Sequence, residues 1–503
     1  MLELKNVTLT HQKDLNKLIN QLSLTVTAGD KLAIIGEEGT GKSSLLQAIY
    51  QPDKILSYIE KEGNITNHFK RMAYLPQTLE KSMLNLSPSD FLYQDLDFDL
   101  FDFNQFYQLA NHLHFKTELL ETPQLKLTDL SGGERLKLQL LKLLAIHPDL
   151  LLLDEPSADL DLESLEWLTR FIKESSITII FISHDQALLE ACASSILHLE
   201  LVKKRTVATH HISRSNYADY VTNRQAAYDK QRKLATKEKE EYKKKEARFK
   251  RVHDSVQHQL EKTKDSTAGR LLAKKMKALK SQESRLAKDQ NQLTKAPLEI
   301  DSLNLFFTDI PCLAKQRTIL HLQDEHLATG QVISFLLKGQ DKVVITGKNG
   351  IGKTQFLKFM LAKMQLDPTL SIGYMPQNYE EVLDKKLTPL EFLGDYPTET
   401  VKSLLASLQF TREEITHDLE QLSGGQRAKL FLAKMVLEKN NVLILDEPTR
   451  HLSPTSQPLV RQLFMDYPGA VISVSHDHYF IKETGFSILE LTDQELLTCP
   501  IDR

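Results

Sequence analysis

Across 503 residues, 63 Lys and Arg against 67 Asp and Glu leave a formal net charge of −4, with 41% hydrophobic and 26% charged residues. At roughly 150 residues per domain this length predicts about three domains, and the composition excludes a collagen, a wholly disordered chain and a disulfide scaffold. Cys192, Cys312 and Cys499 stand far apart without a CxxC, which suits a reducing cytosol and argues against a zinc module. The start, Met1-Leu-Glu-Leu-Lys-Asn-Val, reads as a strand rather than a signal peptide, and nowhere do about 18 apolar residues run together, so a cytoplasmic protein without a membrane span is expected.

In chain order, the first chemical element follows the apolar run Lys31-Leu-Ala-Ile-Ile35. It reads Gly36-Glu37-Glu38-Gly39-Thr40-Gly41-Lys42-Ser43, with Ser44 behind it. G-x-x-x-x-G-K-[ST] between a strand and a helix is a phosphate loop. Its glycines let backbone N–H groups wrap phosphate oxygens, the helix N-terminus favours the anion, Lys42 neutralises β/γ-phosphate charge and Ser43 offers Mg²⁺ a hydroxyl. Next come Tyr74-Leu-Pro-Gln77, Leu130-Ser131-Gly132-Gly133-Glu134, Leu150-Leu-Leu-Leu-Asp154-Glu155-Pro156 and Ile182-Ser-His184-Asp185.

The segment from Asn223 to Lys295 differs in kind. It carries 22 Lys and Arg against 10 Asp and Glu, a net of +12, so the remainder carries −16. With one glycine, Gly269, and no proline, it predicts long helices. Tyr228, Ala235, Tyr242, Phe249 and Val256 recur every seven residues, as do Leu272, Leu279, Leu286 and Leu293; each series makes the narrow seam of a two-helix coiled coil. Turn residues near 263–270 predict the tip of an antiparallel hairpin whose first helix spans about 39 residues, roughly 58 Å. Charge runs are usually solvated surface. Here the excess is one-signed, so contact with nucleic acid is expected.

The last third repeats the first. Lys342-Val-Val-Ile-Thr346 leads into Gly347-Lys348-Asn349-Gly350-Ile351-Gly352-Lys353-Thr354-Gln355. Tyr374-Met-Pro-Gln377, Leu422-Ser423-Gly424-Gly425-Gln426, Val442-Leu-Ile-Leu-Asp446-Glu447-Pro448 and Val474-Ser-His476-Asp477 follow. Three of these pairs are offset by 292 residues, whereas the Tyr-x-Pro-Gln pair is offset by 300 and the loop lysines by 311. The register indicates internal duplication, with 11 extra residues before Gln77 and 8 more before Ser131 in the first copy. Alone, His184 would read as a satisfied core histidine and Asp154 as a helix cap. Their recurrence behind the same strand pattern removes both readings.

On these residues the sequence resembles the ATP-binding cassette superfamily, implying an α/β fold of two P-loop nucleotide-binding domains, residues 1–222 and 296–503, joined by the helical hairpin 223–295. The resemblance implies Mg²⁺-dependent hydrolysis of ATP to ADP and phosphate. Ser43, Asp154, Thr354 and Asp446 would serve the metal. Glu155, Glu447, His184, His476, Gln77 and Gln377 would serve catalysis around the attacking water and γ-phosphate. It also implies head-to-tail pairing within a monomer: Ser423, Gly424 and Gly425 over the first phosphate loop, Ser131, Gly132 and Gly133 over the second.

Two cassettes in one chain, separated by a basic hairpin, resemble the ABC-F family, and Ser213-Arg-Ser-Asn-Tyr-Ala-Asp-Tyr220 resembles that family's approach to its linker. This implies a partner, the bacterial 70S ribosome, with cassettes at the exit site and the linker directed at P-site tRNA and the peptidyl-transferase centre. Lys262, Lys264, Arg270, Lys274, Lys275 and Lys277 are the expected contacts to rRNA or tRNA. The family's Asp-Glu-Pro-Thr-Asn-His-Leu-Asp becomes Asp154-Glu-Pro-Ser-Ala-Asp-Leu-Asp161 and Asp446-Glu-Pro-Thr-Arg-His-Leu-Ser453, which puts equal turnover in doubt. The 8 extra residues are too few for the large arm of housekeeping members, and only 27 residues follow His476. The resemblance is therefore to the antibiotic-resistance branch, with a housekeeping factor for stalled ribosomes as the alternative. A transporter ATPase subunit would need a membrane partner, and a DNA-repair ATPase would carry its coiled coil inside one cassette.

Overall fold

The computed structural model describes residues 1–13, 15–94, 103–158, 160–202, 207–262, 266–292, 305–307 and 309–499. It divides into two compact units. Met1–Tyr217 with Asp301–Arg503 holds both cassettes, and Ala218–Ile300 holds the basic helices.

In the first cassette the strands are β1 (Leu2–His11), β2 (Lys17–Val26), β3 (Lys31–Ile35), β4 (Ile59–Asn67), β5 (Met72–Leu75), β6 (Leu150–Asp154), β7 (Thr178–Ile182), β8 (Ser195–Leu201) and β9 (Val207–Ser213). A six-stranded sheet runs β5-β6-β7-β3-β8-β9, parallel except for β9, beside an antiparallel sheet β2-β1-β4. Every residue of β3, β6 and β7 is buried. Parallel strands covered on both faces need that uninterrupted apolar run, and Leu-Leu-Leu-Leu supplies it.

The second cassette repeats the plan with β10 (Thr318–His326), β11 (Val332–Lys338), β12 (Lys342–Thr346), β13 (Ile372–Met375), β14 (Val442–Asp446), β15 (Ala470–Val474), β16 (Ser487–Leu491) and β17 (Leu496–Cys499). Its order, β13-β14-β15-β12-β16-β17, matches the first strand for strand. The antiparallel sheet differs, being only β10-β11 among the described residues. The 11-residue surplus of the first copy is accounted for here, because the nine-residue β4 lies between Lys42 and Gln77.

The basic unit contains the helices Tyr217–Lys262, 46 residues, and Ser266–Gln292, 27 residues. The first starts six residues before Asn223, which lengthens it to roughly 69 Å. Its seven-residue series is withdrawn from solvent: Ala235 and Val256 are buried, and Tyr228, Tyr242 and Phe249 are half-buried. On the second helix Leu279 is buried and Leu272 and Leu286 are half-buried. Leu293 lies outside the described residues. The three cysteines form no disulfide, and no described helix is long and apolar enough to cross a membrane.

Candidate active site

Each phosphate loop sits at the carboxyl end of the central strand of its sheet, where a parallel α/β sheet offers its crevice. Gly41 and Gly352, the N-caps of Lys42–Tyr50 and Lys353–Met364, adopt left-handed conformations, φ +88° and +104°. Neither has a side chain to satisfy the first N–H groups of its helix, which leaves those donors for an anion. Gly36 has φ +149°, and a Cβ there would lie 2.3 Å from the Leu199 carbonyl oxygen. Lys42 Nζ donates to the carbonyls of Gly36 (2.8 Å) and Glu37 (2.9 Å), and Lys353 Nζ to those of Gly347 and Lys348, both 2.8 Å. Burial lowers the pKa of both lysines. Thr40, buried, donates its hydroxyl to the Glu37 carbonyl at 2.8 Å.

In each cassette a loop hydroxyl meets the carboxylate that ends a buried strand. Ser43 Oγ donates to Asp154 Oδ1 at 3.1 Å and Thr354 Oγ1 to Asp446 Oδ2 at 2.7 Å. Tyr74 also donates to Asp154, at 3.0 Å. Burial raises both aspartates above their ordinary pKa. Among the described residues no cluster of three His, Cys, Asp or Glu could hold a metal through protein ligands alone. One hydroxyl and one carboxylate still fit Mg²⁺, which keeps several waters and takes substrate phosphates as ligands.

Glu155 and Glu447 follow their strands with φ +51° and +53°. Each N–H is fixed on the neighbouring strand, to the carbonyl of Ile182 (3.1 Å) or Val474 (2.9 Å). Non-glycine residues held in this region carry strain, which concentrates at functional sites. His184 Nε2 lies 3.1 Å from Glu155 Oε1, whereas His476 Nε2 lies 3.9 Å from Glu447 Oε1. That difference separates the glutamates. For Glu155, burial pushes the pKa up but the adjacent His184 outweighs it, leaving the carboxyl below its ordinary value. For Glu447, burial dominates over the His476 N–H and lifts it to about 8. Burial and Lys353 push His476 down to about 4.

Both Leu-Ser-Gly-Gly signature segments, Leu130–Gly133 and Leu422–Gly425, begin helices, Gly132–Leu144 and Gly424–Glu438, and their sequence explains why. Ser131 and Ser423 are N-caps accepting the N–H three residues on, and the Glu134 or Gln426 side chain accepts the cap's own N–H. This capping box leaves a positive helix end aimed outward.

The motifs meet across the two cassettes. Glu38 of the first phosphate loop accepts the Gly425 N–H at 3.2 Å and lies 3.4 Å from His451 Nδ1, while Glu37 pairs with Lys429 at 3.0 Å. Against the upward push of burial, His451 and the Gly425 N–H hold Glu38 down at about 2. On the other side Asn349 donates its backbone N–H to Asp161. One cleft of about 1070 Å³ is lined by Gly39, Gly41, Lys42, Ser43, Ser44, Gln77, Glu155 and His184, and equally by Gly350, Gly352, Lys353, Thr354, Gln355, Gln377, Glu447 and His476. Ser131 and Gly132 line it as well; Gly133, Ile351, Lys348 and Gly424 do not.

Four contacts between the cassettes carry no sequence signal. Arg461, 3% exposed, donates to Gln186 Oε1 of the first cassette and to Glu483 Oε2, both at 2.8 Å. Gln186 donates to the Pro454 carbonyl and Gln457 to the His184 carbonyl, each at 2.9 Å. Tyr479 hydrogen-bonds Glu190. In the basic unit Lys262, Arg270, Lys274, Lys275 and Lys277 are exposed. Lys264 lies outside the described residues.

A family profile described as "ABC transporter" matches residues 19–158 and 331–450. The chain is 29% identical over 503 residues to the ribosome protection protein VmlR of Bacillus subtilis, covering 95% of this chain and 84% of that one. To ABC transporter F family member 5 of Arabidopsis thaliana it is 26% identical, covering 95% and 75%. In fold it resembles the archaeal ribosome recycling factor aABCE1, solved with a ribosomal stalk protein, at TM-score 0.59 and 17% identity over 98% of this chain and 90% of that one.

Proposed function

Since the chain belongs to the ATP-binding cassette family, as a tandem ATPase of the ABC-F type, we propose that it works on the bacterial 70S ribosome. In this reading the cassettes bind at the exit site while the basic hairpin reaches toward P-site tRNA and the peptidyl-transferase centre. The observation that carries it is the pairing of an ATP-driven two-cassette unit with a separate helical unit that exposes Lys262, Arg270, Lys274, Lys275 and Lys277. Exposed, unpaired-sign charge on a long rod favours RNA phosphates, which are recognised by shape and charge.

The chemistry of the two sites follows from their residues. Lys42 and Lys353 turn from their own loop carbonyls to the β/γ-phosphates. Ser43 with Asp154, and Thr354 with Asp446, would hold Mg²⁺. When bound, the metal neutralises phosphate charge. Glu155 and Glu447 orient the attacking water and take its proton, His184 and His476 face the γ-phosphate, and Gln77 and Gln377 border the same cleft. The capped signature helices close over the opposite loops, so closure depends on the γ-phosphate and reopening on its loss.

The similarity to VmlR supports protection of the ribosome from antibiotics as the biological role. A housekeeping factor for stalled ribosomes is the second reading, favoured by the short interval, residues 263–265, between the two helices. Co-sedimentation with 70S particles under ATP tests the main proposal. A Glu155→Gln/Glu447→Gln double variant should remain on the particle; if it stays in the supernatant, the proposal fails. Expression in a susceptible Gram-positive host then separates the two readings through inhibition by phenicols, oxazolidinones, lincosamides and pleuromutilins. Unchanged sensitivity to all four favours the housekeeping role.

A further inference from the structure

The two phosphate loops differ in charge at corresponding positions. Gly36-Glu37-Glu38-Gly39 carries −2 where Gly347-Lys348-Asn349-Gly350 carries +1. The acidic pair does not point to solvent. The Glu38 carboxylate reaches across to the second cassette and accepts the Gly425 N–H at 3.2 Å, with His451 Nδ1 3.4 Å from its other oxygen. Both carboxylate oxygens lie 3.1 Å from the point where a Cβ on Gly424 would stand, so the anion rests on the first turn of Gly424–Glu438. Glu37 reinforces the contact through Lys429 at 3.0 Å. At the other interface the first cassette's signature is met differently: Ser131 and Gly132 border the open cleft, and Asn349 is a neutral side chain.

A signature helix end is a seat for one anion. In the nucleotide-bound arrangement of the preceding subsection, on which this inference rests, that anion is a γ-phosphate. We propose that Glu38 is a specificity-determining residue of site one, the first phosphate loop with the second cassette's signature (site two being the converse pair): its carboxylate occupies the γ-phosphate seat on the second cassette's signature helix, so that site one tolerates ADP or no nucleotide and takes ATP only by displacing Glu38. ADP has no group that competes for the seat. ATP must break the Gly425 and His451 contacts and bring its own charge to a loop already carrying two negative ones. Site two, with Lys348 and Asn349, is free of this discrimination, and the closed form therefore assembles at site two first.

The test uses the full chain with Lys353→Ala, so that site one alone reports, and titrates fluorescent N-methylanthraniloyl ATP and ADP with Mg²⁺. Glu38→Gln should tighten ATP binding on the order of tenfold, as expected for removing one displaced charge contact, while ADP affinity changes less than about threefold. Glu38→Asp, which keeps the charge, should hold the wild-type ratio of ADP to ATP affinity. Glu37→Gln should move that ratio less than Glu38→Gln. An unchanged ratio in Glu38→Gln, or weaker ATP binding, overturns the proposal and leaves Glu38 as a plain inter-cassette tie. If a Lys42→Ala/Lys353→Ala chain binds both nucleotides like the wild type, the assignment of the loops as nucleotide sites fails and this inference falls with it.

Discussion

Gly36 and Gly39 occupy the same loop, both with positive φ, and substitution should separate two costs that usually arrive together. At Gly39, φ +80°, an added Cβ meets nothing within 4 Å, so Gly39→Ala carries only the left-handed penalty, about 1–2 kcal/mol. At Gly36, φ +149°, the Cβ would stand 2.3 Å from the Leu199 carbonyl oxygen and 3.0 Å from Thr40 Oγ1. Leu199 belongs to β8, which pairs with β3, so the clash is with a fixed strand rather than a side chain that can turn away. Overpacking of that kind adds about 1–3 kcal/mol to the backbone strain, for a total near 4 kcal/mol. At roughly 2–4 °C per kcal/mol for a domain of this size, Gly36→Ala should lower the melting midpoint by about 10 °C and Gly39→Ala by about 4 °C. Thermal unfolding of the full chain by intrinsic fluorescence measures this, and nucleotide titration in the Lys353→Ala background should show site one lost only in Gly36→Ala. Gly347→Ala against Gly350→Ala repeats the comparison, with a clash of 2.5 Å at the Leu491 carbonyl and open space, respectively. Equal shifts within either pair would refute the steric argument.

Other expectations concern chemistry, charge and interface. Glu155→Gln/Glu447→Gln should reduce steady-state phosphate release by about 10²–10⁴-fold, as loss of a general base does, with ATP binding retained. Because Glu38 is held at about 2 against an ordinary 4.5, its stabilising contribution is complete above pH 4.5 and is lost as pH falls toward 2. The stability difference between wild type and Glu38→Gln, at most about 3 kcal/mol near neutral pH and read from denaturant unfolding, should therefore narrow from pH 5 to pH 3; a difference that widens on acidification contradicts the assignment. Arg461→Leu strands Gln186 and Asp477, which lies 3.7 Å from the guanidinium, and should destabilise by about 3 kcal/mol, whereas Arg461→Lys should lose less. A loss under about 1 kcal/mol would mean the buried contact is neutral. Lys274→Ala/Lys275→Ala/Lys277→Ala should flatten the salt dependence of ribosome association by about 2 in log–log slope, read by sedimentation at increasing KCl.

Much of the cassette core was legible because its chemistry restricts residue types at fixed spacing. Gly41 must be left-handed, Asp154 must end a buried strand, and Ser131 and Ser423 must cap a helix, so each leaves a trace in one dimension. Even the 11-residue surplus translates directly into β4. The seven-residue series in the basic segment was readable for the same reason, since a period is a local property. The inter-cassette surface is different. Arg461, Gln186, Gln457 and the Tyr479–Glu190 pair meet only after both sheets are folded, over sequence separations of about 270 to 290 residues, and no pattern announces them. The phenol of Tyr74 belonged to a recognised motif, yet its bond to Asp154 depends on β5 lying beside β6. His451, which keeps the family's histidine between the altered Arg450 and Ser453, faces Glu38 of the opposite loop, a contact that exists only once both cassettes are folded.

Duplication preserved backbone and relaxed side chains, and the consequences accumulate on one side. The sheets keep the same strand order, both glutamates keep φ near +50°, and both loop lysines fold onto the same pair of carbonyls. Yet site one couples an acidic loop to the opposite signature and sets Glu155 close to His184, whereas site two carries Lys348 and Asn349 in its loop and lifts Glu447 by burial. Burial raises the Glu447 carboxyl, whereas His184 holds that of Glu155 below its ordinary value, so the two glutamates do not start from the same proton affinity. The loop that resists the γ-phosphate therefore shares its site with the histidine-paired glutamate, so both differences fall on one active site rather than being divided between the two.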